Sequence, residues 1–85
     1  MATNDLDFDW REYDLRKKKA GEDPALFACN EPWEVAFMVK TIHLAYPEYK
    51  PANIHTAIEG CCLLDKGPHL RKIVVECVLR RLRLN

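Results

Sequence analysis

Long apolar runs are missing from this 85-residue sequence, and none approaches the ~20 residues that a membrane span requires. The opening MATNDLDFDW is acidic where a secretory leader needs a basic start followed by an apolar run. A cytoplasmic chain with no membrane partner is the expectation. Glycine is scarce, at three residues, and repeats and low-complexity tracts are absent, which leaves no room for a flexible linker between domains. Net charge is also lacking, because 13 Lys and Arg offset 13 Asp and Glu. Most nucleic-acid modules are distinctly basic, so overall neutrality argues against that class. No P-loop, GxGxxG, HExxH or GxSxG occurs, so no enzyme is expected. Neither CxxC nor HxxxH spacing occurs, so no metal or other cofactor is expected.

What is present is the composition of a small globular domain: 48% hydrophobic, 31% charged, with two Trp, three Tyr and three Phe. A chain of this length buries only about 60–65% of its unfolded surface, so its margin of stability is thin. The charge is sorted along the chain. Residues 1–34 hold nine acids and five bases, a balance of −4. Residues 35–85 hold four acids and eight bases, a balance of +4. Opposed halves suit an internal contact, a second copy, or an anionic partner.

Periodicity predicts an all-α fold, a small bundle of three core helices with an N-terminal helix or arm. Residues 1–30 form the N-terminal helical arm and connector, and residues 31–85 the helical core. The first helix is predicted over 5–19, with Asn4 as cap, acids at its start and Lys17, Lys18 and Lys19 before Gly21, which complements the macrodipole. Its apolar stripe, Leu6, Trp10 and Tyr13, is narrow, and is the candidate partner-binding surface. Within the connector, 20–30, the patch Ala25-Leu26-Phe27-Ala28 suits an extended segment. The clearest helix spans 31–46, opened by Pro32 and closed by Pro47. The third spans 51–64. Asp65-Lys66-Gly67-Pro68 reads as a stop and restart, and the last helix spans 68–84, with Leu70, Ile73, Val74, Cys77 and Val78 on one side and Val75, Leu79 and Leu82 on another. The expected core joins Val35, Met38, Val39 and Ile42 to Ile58, Cys61, Ile73, Val74 and Cys77.

The four cysteines are expected to be reduced thiols acting as small hydrophobes, since the chain reads as cytosolic. Cys61 and Cys62 are adjacent, and their side chains diverge by about 100° on a helix, which disfavours a bond between them. His55, Glu59 and Cys62 share one helical face, but zinc wants about four ligands in close pairs. Arg71, Lys72, Arg80, Arg81 and Arg83 are the candidate nucleic-acid-binding residues, set against the ordinary preference for bases at a helix C-terminus. The function expected from these features is a non-catalytic protein-interaction module that self-associates as a homodimer or binds another protein. The alternative is a small nucleic-acid-binding protein using the basic C-terminal helix.

Overall fold

A computed structural model describes residues 8–63 and 69–84. The fold is all-α: α1 (Arg11–Lys19), α2 (Pro32–Ala45), α3 (Pro51–Leu63) and α4 (Arg71–Leu84), with a small antiparallel pair of β1 (Leu26–Phe27) and β2 (His69–Leu70). Leu26 faces Leu70 and Phe27 faces His69 in that pair. The Ala25–Ala28 patch therefore docks as an extended piece, as its composition suggests.

The helix ends follow local chemistry. Asp9 accepts the Arg11 backbone N–H at the entrance to α1. At the exit Gly21 takes φ of +74°, which allows Glu22 N–H to reach Lys17 O at 2.8 Å and Gly21 N–H to reach Lys18 O at 3.0 Å. This reversal turns the chain back towards β1. Pro32 opens α2, and Tyr46, kept out of helical dihedrals by Pro47, closes it. His43 Nδ1 then donates to Tyr49 O at 2.8 Å and ties the turn to α2. The first helix begins later than predicted, at Arg11, and Asn4, Leu6 and the 65–68 restart lie outside the described residues. The last helix begins at Arg71 because His69 and Leu70 are taken by the strand pair.

The central helix is α3, which packs against α2 on one side and α4 on the other. Met38, Ile42, Ile54 and Ile58 fill the first contact, and Ala57, Cys61, Val74 and Val78 are buried with them. Val35 and Val39 are half-buried against this core. Ile73 corrects the expected stripe, being 55% exposed. Along α4 the buried residues are Val74, Val75, Val78, Leu79 and Leu82, so the helix is rotated towards the second of its two apolar sides. Fully burying one such side chain contributes about 1.5–3 kcal/mol, so this rotation decides which substitutions matter.

The N-terminal segment is part of the core. Phe8, Trp10 and Tyr13 are buried in the chain's own interior. Trp10 meets Tyr13 edge-on at 5.3 Å and stacks on Phe37 at 6.0 Å, and Phe8 lies 6.1 Å from Tyr46. Trp33 and Phe37 of α2 thus cover Trp10 and Tyr13, which the sequence leaves unpartnered.

Candidate functional site

A buried polar cluster fixes the connector against the bundle. Glu34, in the first turn of α2, is fully buried. Its Oε1 accepts the Ala28 backbone N–H at 3.0 Å and lies 2.7 Å from the Tyr13 hydroxyl. Its Oε2 accepts Lys17 Nζ at 3.0 Å. The Tyr13 hydroxyl is also 2.7 Å from Leu26 O, so one phenolic proton serves two acceptors. Burial, then the hydrogen bond to Glu34 and its charge, hold the Tyr13 phenol far above its ordinary pKa. Lys17 Nζ, itself buried, also lies 3.6 Å from Glu22 Oε1. These contacts join α1, the connector and α2 around a single carboxylate, and no buried polar side-chain atom among the described residues is left unpartnered.

The cysteines overturn the expectation of reduced thiols. Cys29 is bonded to Cys62 and Cys61 to Cys77, with Cα–Cα distances of 6.0 and 6.1 Å. The divergence of adjacent helical side chains, which prevents Cys61 bonding to Cys62, also points the two sulfurs at different neighbours. Cys62 is thereby linked to the connector and Cys61 to α4. The Ala28–Glu34 hydrogen bond anchors the residue next to Cys29.

Beside Cys29–Cys62 lies an open groove of about 670 Å³ between α2 and α3. Val35, Ala36 and Ile58 supply apolar wall, and both bonded cysteines line it. Leu63, at its lip, is 84% exposed. Asn30, His55 and Glu59 give the rim its polar character. This volume falls within the range of ordinary ligand-sized concavities, about 300–1,000 Å³.

His55 Nδ1 and Glu59 Oε1 are 3.5 Å apart, and Cys62, on the same face, is spent in a disulfide. Among the described residues no group of three or more His, Cys, Asp or Glu is arranged to hold a metal ion.

The basic residues divide. Arg71 is an internal residue: its Nη1 donates to Asp14 Oδ1 at 2.8 Å, and its guanidinium lies 4.5 Å from the Trp10 ring centroid. Its backbone N–H donates to Ala25 O at 2.8 Å, next to the strand pair. Lys72, Arg80, Arg81 and Arg83 are exposed on α4. Lys72, Glu76, Arg80 and Arg83 follow one helical stripe, while Arg81 lies across Gly60, where a Cβ would meet its guanidinium at 2.6 Å. Of the candidate partner-binding residues, Trp10 and Tyr13 are enclosed by the chain's own rings, and Leu6 lies outside the described residues. The groove was missed because Pro32, Val35, His55 and Cys62 come together only when α2 and α3 pack. No helix among the described residues is long and apolar enough to cross a membrane.

No family model, curated protein or solved structure matches this chain.

Proposed function

We propose that the chain is a non-catalytic, disulfide-braced interaction module that self-associates through the groove between α2 and α3. The observation that carries this is Leu63, 84% exposed at the lip of an apolar concavity. A leucine left almost wholly in water beside an open apolar wall favours a covered state. The occupant is a second copy, argued from charge. Exposed Glu59 lines the groove, whereas the outer face of α4 presents Lys72, Arg80 and Arg83 around the exposed Ile73. Burial of Leu63 and Ile73 supplies affinity, and the opposed charges set orientation. The two disulfides favour a setting in which such bonds persist over the cytoplasmic one expected from the sequence.

Sedimentation of the oxidised protein over a concentration series tests this. The expected result is a concentration-dependent dimer that moderate salt weakens only slightly and that Leu63→Glu converts to monomer, with a melt matching the parent's at concentrations where the parent is itself monomeric. A monomer at every concentration overturns the proposal.

Nucleic-acid binding is the second reading, favoured by the exposure of Lys72, Arg80, Arg81 and Arg83 on α4. Neutralising about four phosphates gives a steep loss of affinity as salt rises, with a log–log slope near −3.6 on duplex DNA. A titration that is flat with salt, or absent, rejects it.

A further inference from the structure

The two disulfides differ in access and in electrostatic setting. Cys29 and Cys62 are half-buried and line the groove. Cys61 is buried in the core and Cys77 is half-buried, and their bond lies between α3 and α4, away from the groove. Thiol exchange requires approach to a sulfur along the bond, so the open groove beside Cys29 and Cys62, which neither Cys61 nor Cys77 lines, separates the pair. The ends of the Cys29–Cys62 bond are also unequal. Cys62 is the penultimate residue of α3, at the negative end of that helix, with Glu59 one turn earlier. Cys29 precedes α2 by three residues, near that helix's positive end, where the Glu34 charge is offset by Lys17 and Glu31 is exposed to solvent. A thiolate is therefore better stabilised on Cys29 than on Cys62.

We propose that Cys29–Cys62 is a site of exchange with low-molecular-weight thiols, with Cys62 the sulfur attacked and Cys29 the thiolate released. The incoming thiol loses its proton to water, and its thiolate forms a bond to Cys62 Sγ as the Cys29–Cys62 bond breaks. The products are a mixed disulfide on Cys62 and a thiolate on Cys29, with no net redox change. A second thiolate attacking that mixed disulfide releases the small-molecule disulfide. Two electrons have then passed from two thiols to the protein, leaving Cys29 and Cys62 reduced. The adduct on Cys62 projects into the groove, where Val35 and Ile58 offer apolar contact and the His55–Glu59 pair polar contact. Exchange onto Cys61 is disfavoured because adjacent helical side chains diverge.

The site shares the groove with the proposed dimer interface but does not depend on it. Exchange is measured with reduced glutathione on oxidised protein dilute enough to sediment as a monomer. The reaction is acid-quenched and alkylated, and fragment ions between Cys61 and Cys62 assign each label. The expected result is a glutathione adduct on Cys62, alkylation of Cys29, and opening at least about tenfold faster than Cys61–Cys77. An adduct chiefly on Cys29 overturns the assigned direction. Equal opening of both bonds, or none before denaturation, overturns the site. The double variant Cys29→Ser with Cys62→Ser should retain a glutathione-resistant Cys61–Cys77 bond, and rapid loss of that bond also counts against the proposal. Failure to dimerise leaves the exchange standing, and failure to exchange in the monomer leaves the interface standing.

Discussion

Replacing Glu34 by alanine should remove much of the stability of this domain. The carboxylate is fully buried, and its loss strands the buried Lys17 ammonium and the Ala28 N–H. Breaking a buried ion pair from one side costs about 3–5 kcal/mol, against a total of about 5–15 kcal/mol for a small domain. Exposed Glu22, 3.6 Å from Lys17, is too distant and too solvated to replace Glu34. The double variant Lys17→Met with Glu34→Leu removes both charges and leaves mainly the Ala28 N–H unsatisfied, since Tyr13 keeps Leu26 O. Its cost should be about 1–3 kcal/mol, less than that of Glu34→Ala alone. Urea unfolding of the oxidised parent, Lys17→Met, Glu34→Leu and the double variant closes the cycle. A Glu34→Ala protein within about 1 kcal/mol of the parent would refute the reasoning, as would a double variant whose cost equals the sum of the singles.

Tyr13 gives a pH dependence. Its folded pKa is raised, chiefly by burial, so its contribution is fully present below the unfolded value of about 10 and is lost as pH rises above it. The parent's urea midpoint should therefore fall more steeply than that of Tyr13→Phe above about pH 10, and parallel profiles would count against a buried phenol. In the core, Ile42→Ala should cost about 2–5 kcal/mol by thermal or urea melts, because Ile42 is fully buried. Val74→Asp should be at least as severe, while Ile73→Asp should melt within about 1 kcal/mol of the parent. Comparable losses at 73 and 74 would mean that α4 is rotated differently.

Much of the fold is legible in the sequence, because the helices are marked by strong local chemistry. Pro32, Pro47 and Pro51 bound α2 and open α3 within a residue or two of their predicted limits. The Leu26–Phe27 patch was readable as extended, but its pairing with His69–Leu70 spans more than forty residues. The misplacement of Ile73 has a simple origin: α4 is apolar on two sides, and periodicity does not say which faces α3. In the sequence Glu34 is simply an acid at the positive end of its helix, and Lys17 one of three lysines that close the first. Their burial follows from the reversal at Gly21, which brings α1 over the first turn of α2. The same fold turns the Trp10 and Tyr13 stripe inward, so deleting residues 1–20 would remove core rather than a free arm.

The cysteines show where local reasoning stops. Adjacent Cys61 and Cys62 correctly exclude one another, but four cysteines allow three pairings, and spacing does not choose. The choice belongs to the packing of α3 between the connector and α4. In the chain-entropy description the resulting loops, of separation 33 and 16, contribute about 3–4 kcal/mol each, which a small core needs.

The bracing of α3 to both neighbours underlies the groove, the interface and the exchange site alike. Its most direct test is the disulfide pairing of native protein, alkylated without reductant. Common proteases leave residues 61 and 62 on one peptide, so partial reduction at low pH and fragmentation between them are required. The account predicts no alkylated cysteine in the native protein and the pairs Cys29–Cys62 and Cys61–Cys77. Four free thiols, or the pairs Cys29–Cys61 and Cys62–Cys77, would contradict it.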